Sequence, residues 1–261
     1  MGRHIIKAVL DNPETDLAAA LERPDHPALG HDAGVLAGAS AAGVVVSSDL
    51  ERAVTACEVL IDFSVPQVVI PAARAASAAS VNLVVGTTGL DTAARQALEL
   101  AGQEVVVVAS PNMSVGVNVV LDVLARVARM LGPEYDFEVF ELHHRGKVDA
   151  PSGTALRMAE TVARERGLDA GLCSRHGRSG ALGPRPRDEI GVHAARGGDV
   201  VGDHTAIFAG GGERIEIIHR AHSRETFALG AVRAALWTRG RPPGVYGMND
   251  VLAGDWSDGT D

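Results

Sequence analysis

Cysteine, positive charge and long apolar runs are all scarce in this chain of 261 residues. Only Cys57 and Cys173 occur, too few for a disulfide framework and in keeping with a reducing compartment. No apolar stretch approaches the ~20 residues that a membrane helix needs, and the first residues lack the pattern of a secretion signal. A cytoplasmic protein without a membrane partner is expected. The formal net charge of −9 argues against non-specific nucleic-acid binding. A local exception, Arg175 to Arg187, carries four arginines and two prolines and reads as a flexible, solvated connection. Metal is not expected either: His143 and His144 have no histidine at i, i+4 spacing and no cysteine cluster nearby.

What is present is an ordinary globular composition, 46% apolar and 22% charged, long enough for one large domain or two modest ones. The most informative stretch runs from Glu141 to Thr154, E-L-H-H-R-G-K-V-D-A-P-S-G-T. Phe137 to Leu142 alternates like a strand and leads into the two histidines. Neighbours on a strand face opposite sides, so His143 and His144 should do different jobs unless the chain turns there. His143 can exchange a proton near neutral pH, and Lys147 adds a fixed positive charge. Ala155 to Arg166 reads as a helix, with Ser152 or Thr154 as its cap and Gly167 as its end. Its start offers backbone N–H groups to a carboxylate or phosphate. Two readings stay open: a solvated basic turn, or proton transfer on a small anionic substrate.

In the first half, short apolar runs alternate with alanine-rich helical segments. Leu17 to Leu21, Val59 to Phe63, Val81 to Val85 and Val105 to Ala109 read as strands of a parallel sheet covered on both faces. Ligands bind beyond the C-terminal ends of such strands. There stand Glu22 and Arg23, suited to ribose hydroxyls and a 2′-phosphate. Gly86-Thr87-Thr88 follows the third strand and Ser110-Pro111-Asn112 the fourth. A dinucleotide-binding fold opens with a strand and a G-x-G-x-x-G turn, and this sequence shows neither. Met1-Gly2-Arg3 passes at once into a helical run, His4 to Leu10.

After Asn112 the pattern changes. Ser114 to Leu131 reads as a long helix. Ile190 to Ala195, Val200 to Ala209 and Arg214 to His219 read as strands of a second, mixed or antiparallel sheet with glycine turns. One face of that sheet is expected to be solvated or an oligomer interface. Phe227 to Trp237 reads as a helix capped by Thr226 and returning to the first domain. The expected organisation is α/β. A Rossmann-like domain at 1–113 and 224–261 lacks its first strand and glycine-rich turn, and an α+β substrate and oligomerisation domain spans 114–223.

The residues resemble the 4-hydroxy-tetrahydrodipicolinate reductase (dihydrodipicolinate reductase) family. The resemblance rests on His143 to Thr154, on G-T-T-G from Gly86 to Gly89, and on S-P-N-M-S-V-G-V-N from Ser110 to Asn118. It extends to R-G-G-D-V-V-G-D-H-T from Arg196 to Thr205 and A-A-L-E-R from Ala19 to Arg23. It implies a Rossmann domain completed by the C-terminal helix, a substrate and tetramerisation domain, and NADH or NADPH as hydride donor in diaminopimelate and lysine biosynthesis. By position, it implies His143 as proton donor and acceptor and Lys147 as a second proton donor. His144, Gly153 and Thr154 hold the carboxylates of a small dicarboxylate substrate. Gly86, Thr87 and Thr88 with Ser110, Pro111, Asn112 and Met113 line the nicotinamide side, and Glu22 the adenosine ribose, beside Arg23. Met1-Gly2-Arg3 resembles the end of the family's glycine turn. The expectation is an internal start, about 15 residues late for a strand plus turn, with weak cofactor binding and a less stable first domain if the chain starts there. An in-frame stop immediately upstream of Met1 would defeat it. The other readings are a non-enzymatic or impaired dinucleotide-binding relative and a reductase of another anionic imine.

Overall fold

In a computed structural model, residues 1–253 are described, and they divide into two compact units. The first unit comprises Met1–Val115 and the segment from Arg224 onward; the second is Gly116–Ser223.

The first unit opens with α1 (Gly2–Asp11), β1 (Ala20–Leu21), α2 (Ala33–Leu36), β2 (Val46–Ser47) and α3 (Leu50–Val54). It continues with β3 (Val59–Asp62), α4 (Pro66–Ala78), β4 (Asn82–Val85), α5 (Thr92–Ala101) and β5 (Val106–Ala109). The second unit holds most of α6 (Val115–Leu131), then β6 (Asp136–His143), α7 (Gly153–Glu165), α8 (Ala170–Cys173), β7 (Ser174–His176), β8 (Ile190–Arg196), β9 (Gly202–Ala209) and β10 (Arg214–Ala221). The chain then returns to the first unit with α9 (Glu225–Trp237), β11 (Gly244–Tyr246) and α10 (Met248–Ala253).

The first unit is a three-layer α/β structure. Strands β3, β4, β5 and β11 are parallel, in the order β11-β5-β4-β3. Alternation along each strand sends side chains to opposite faces. Leu83, Val85 and Val107 pack against α4 and α5, while Val84 and Val108 pack against α9 and α10. Every face is therefore buried, which is why these strands read as unbroken valine and leucine runs. Strands β1 and β2 form a separate parallel pair, and among the described residues neither β1 nor β3 has a partner on its remaining edge. Helix α1 spans both pieces: Ile5 and Ala8 pack with α9, Ile61 and Phe63, and Ile6 packs with Ala20 and Val46.

Three expectations change here. The first strand shrinks to Ala20–Leu21, since Leu17 joins the small apolar cluster around Ala20 and Val46 without pairing as a strand. Thr226 does not cap α9; Arg224 precedes the helix without a side-chain cap, and the Thr226 hydroxyl lies 3.3 Å from that of Ser114. The arginine-rich loop is not merely solvated. Ser174–His176 pairs in parallel with β8. Arg178 grips Glu138 and Glu189, and Arg185 grips Asp136 and Glu138. Burial works against the charge on Glu138, but Arg178, His193 and Arg185 hold its carboxyl down to about 2.

The second unit is a mixed sheet in the order β10-β9-β6-β8-β7, with β6 parallel to β8 and antiparallel to β9. Phe137, Val139, Ile190, Val192, Ala206 and Phe208 pack with α6 and α7, which cover one face. Alternation puts Glu141 and His143 on the same buried side as Phe137 and Val139, and Phe140 on the other. Phe137 is fully buried and its ring lies 4.8 Å from that of Phe208. Phe137→Ala should cost roughly 3–5 kcal/mol in urea unfolding, whereas Leu172→Ala, at 87% exposure, should stay within about 0.5 kcal/mol.

Candidate active site

Helix α7 starts where β6 ends, and that junction carries the polar residues. Ser152 caps α7: its Oγ accepts from the Ala155 N–H at 3.2 Å. Gly153 and Thr154 take the first two helical positions, with Gly153 exposed. The alternation of β6 continues through its last residues, bringing Glu141 and His143 beneath this helix start. Glu141 Oε2 lies 2.6 Å from His143 Nδ1. Arg196, which stands opposite His143 in the β6–β8 register, donates Nη1 to Glu141 Oε2 at 2.7 Å and Nη2 to Oε1 at 2.9 Å. The Ser152 N–H donates to Glu141 Oε1 at 3.0 Å. Burial raises the affinity of Glu141 for a proton, yet Arg196, His143 and Ser152 together hold the carboxyl below its usual range.

The third member of the cluster is His204 on β9, opposite Glu141. Its Nε2 lies 2.9 Å from Ser152 Oγ, and its ring meets that of His143 edge-on at 5.1 Å. Burial, with His143 and His219 nearby, pushes His204 down to about 4, so it is neutral at ordinary pH. Gly202 backs the other side of the catalytic candidate. A Cβ there would stand 2.9 Å from His143 Nε2, so only glycine leaves room for the ring.

Beyond β6 the chain turns, with the Lys147 N–H donating to the His144 carbonyl at 3.1 Å. The turn is pinned to the β8–β9 loop: His144 N–H donates to Val200 O at 2.7 Å and Arg145 N–H to Gly198 O at 3.2 Å. His143 is buried and His144 half-buried, so the two do differ in environment as strand alternation requires. Lys147 Nζ donates to both oxygens of the exposed Asp149, at 2.8 and 2.9 Å, which lowers the Asp149 pKa. The structure thus joins His143, His144, Lys147, Gly153 and Thr154 in the second unit. Glu141, Arg196, Gly202 and His204 acquire roles that spacing alone did not assign. Their signal lay in the sequence as a charged residue on the buried parity of β6 and as the Arg196-to-Thr205 motif. Among the described residues no group of side chains could hold a metal ion.

In the first unit, the parallel register aligns Asp62, Val85 and Ala109 at the ends of β3, β4 and β5. Gly86 and Thr87 therefore lie beside the Ser110–Met113 turn at one sheet edge, where the Ser110 N–H donates to Val85 O at 3.0 Å. Gly86 is required because the Phe63 ring occupies the space a Cβ would need. Thr87 does not present its hydroxyl to a ligand: it is buried and donates to Asp62 Oδ1 at 3.2 Å, leaving Thr88 as the exposed hydroxyl. Asp62 Oδ2 is buried without a partner. Ser110 Oγ donates to the Asn112 carbonyl at 2.9 Å, Pro111 is exposed and Met113 is buried. Glu22 and Arg23 are exposed at the end of β1, in the separate strand pair.

A buried neutral histidine makes stability depend on pH. Between about 6.5 and about 4 the unfolded chain binds a proton at His204 that the folded chain does not. The folded state is therefore favoured above pH 6.5 and loses ground as pH falls toward 4. Between pH 7 and 5 the loss should be roughly 2 kcal/mol. His204→Asn should flatten this part of the urea-midpoint profile; an equally steep decline in both proteins counts against the assignment.

Comparison with known proteins gives one answer for both units. The family profile described as dihydrodipicolinate reductase, N-terminus, matches residues 1–113, and the one described as its C-terminus matches residues 116–252. The 4-hydroxy-tetrahydrodipicolinate reductase of Citrifermentans bemidjiense is 48% identical over 97% of this chain and 94% of its own length. That of Anaeromyxobacter dehalogenans is 49% identical over 97% and 93%. Among solved structures, the dipicolinate-bound dihydrodipicolinate reductase from Paenisporosarcina sp. TG-14 matches 96% of this chain and 95% of its own, with a TM-score of 0.74 at 24% identity. The fold agrees with that likeness, and at nearly half-identity along nearly its whole length the chain belongs to the dihydrodipicolinate reductase family.

Proposed function

We propose that this chain catalyses the NAD(P)H-dependent reduction of 4-hydroxy-tetrahydrodipicolinate to tetrahydrodipicolinate in diaminopimelate and lysine biosynthesis. The match of both units to one reductase family carries the reading. A nicotinamide cofactor fits the first unit at the aligned ends of β3, β4 and β5, where the Thr88 hydroxyl is exposed and Asp62 Oδ2 lacks a partner. Gly86, Thr87 and Thr88 with Ser110, Pro111, Asn112 and Met113 are the residues that would hold it there, Thr87 through its backbone. Glu22 would take the adenosine ribose, beside Arg23. When bound, NADH or NADPH supplies the hydride.

Replacing a ring hydroxyl by hydrogen takes one hydride and one proton and releases water. His143 takes one proton from the ring as the hydroxyl leaves and returns one to the ring as the hydride arrives, both through Nε2, since Nδ1 is engaged by Glu141. Lys147 is the second proton donor, giving the proton that departs with the hydroxyl as water, and its charge also orients an anionic ring. Its partner Asp149 is exposed, so an arriving carboxylate exchanges one acceptor for another without leaving the ammonium bare. His144 and the Gly153–Thr154 helix start take the two carboxylates of the substrate.

A cytoplasmic homotetramer completes the reading. The sheet face opposite α6 and α7 leaves Phe140 and Ile218 about half exposed, in line with Thr205 between them. A second copy covering that face accounts for apolar side chains that a monomer leaves wet. Both cysteines are free, as a reducing compartment allows, and no helix among the described residues is long and apolar enough to cross a membrane.

The assay couples dihydrodipicolinate synthase to oxidation of NADH and of NADPH. Turnover that depends on the synthase product is expected, with His143→Gln and Lys147→Ala each lowering kcat by about a hundredfold or more. Near wild-type turnover in both variants would sink the site assignment, and no product-dependent oxidation with either nucleotide would sink the reaction.

A further inference from the structure

One buried carboxylate beside His143, that of Glu141, has no substrate contact in the proposed reaction. We propose that Glu141 is the positioning residue of the site: it keeps hydrogen on His143 Nδ1, which leaves Nε2 as the proton-exchanging atom, and fixes the start of α7 with the same carboxylate. This rests on His143 being the proton-exchanging group.

The geometry carries it. Each oxygen of the buried carboxylate accepts two hydrogen bonds. Oε2 takes His143 Nδ1 at 2.6 Å and Arg196 Nη1 at 2.7 Å; Oε1 takes Arg196 Nη2 at 2.9 Å and the Ser152 N–H at 3.0 Å. An ionised carboxylate only accepts, so a neutral His143 must carry its hydrogen on Nδ1. Nε2 then faces the bare Cα of Gly202. Arg196 is itself pinned by donating to the Ala195 and Asp149 carbonyls, both at 2.6 Å, so the carboxylate cannot rotate with the ring. Through Ser152 the same oxygen sets the first turn of α7, which holds Gly153 and Thr154.

The charged and titratable groups around His143 are Glu141 on β6, Arg196 on β8, His204 on β9 with His219 behind it on β10, and Lys147 and Asp149 on the following turn. His204 stays neutral to about pH 4. Glu141 is thus the anion in direct contact with the ring.

Glutamine keeps the shape and removes the acceptor. Whichever end its NH2 takes, it meets an Arg196 donor. The end facing His143 is the less costly, because a ring nitrogen can turn acceptor while a backbone N–H cannot. Glu141→Gln should therefore move the hydrogen of the neutral ring from Nδ1 to Nε2. Histidine 15N spectra of the full chain, with His143 assigned by its loss in His143→Gln, read this directly. Wild type should show Nδ1–H and the variant Nε2–H. In the coupled assay, Glu141→Gln should lower kcat by on the order of a hundredfold with KM changed less than about threefold.

Nε2–H in neutral wild-type His143 would overturn the proposal whether or not the variant folds. So would an unchanged tautomer or an unchanged kcat in a folded variant. A wild-type protein without reductase activity but with the tautomer switch would instead overturn the reaction and leave the positioning role standing.

Discussion

A carboxylate withdrawn from water needs partners for the lone pairs it keeps, and Glu141 finds four of them in side chains and backbone from three elements. That requirement organises the second unit's chemistry. Strand β6 contributes the acid and the histidine, β8 the guanidinium, and the start of α7 a backbone N–H. Losing any one partner leaves buried polarity unmet, a cost larger than the modest net worth of a single hydrogen bond. The site is rigid because its charges are mutually satisfied, not because the surrounding core is unusually large.

Around this group the polar cluster is graded by solvent. Glu141, His204 and His143 are buried, Lys147 partly open and Asp149 mostly open. Desolvation keeps His204 uncharged while Arg196 keeps Glu141 charged, so two groups in the same pocket of protein are driven to opposite conclusions by their contacts. Only the outer members can trade partners for a ligand without exposing a bare charge to the interior. The division of labour in the proposed reaction follows that gradient, with positioning inside and substrate contact outside.

Much of this was legible in the residues. The apolar runs marked four of the five strands of the first half, missing β2, and the three later runs marked β8, β9 and β10 with shifts of a residue or two. Alternation placed Phe137, Val139 and Glu141 together, and of the two caps foreseen, Ser152 and Thr154, Ser152 is the one that caps α7. The failures have physical causes. Thr226 had the chemistry of a cap, but its hydroxyl lies beside Ser114, 112 positions away in sequence. Thr87 looked like a ligand donor, but Asp62, from the neighbouring strand, takes its hydroxyl. The arginine loop looked solvated because two of its counter-charges, Asp136 and Glu138, lie on β6.

The sequence by itself determined the α/β alternation, the parity of β6, the polar strand ends and the motifs that mark the reductase family. Those properties depend on neighbours within a few positions, or on residue identity at set spacings. Only the tertiary structure decided that Arg196 closes on Glu141, that Gly202 yields space to His143, and that His204 completes the buried cluster. These contacts join residues tens of positions apart through strand register, a quantity fixed by the packing of whole sheets and helices rather than by local pattern.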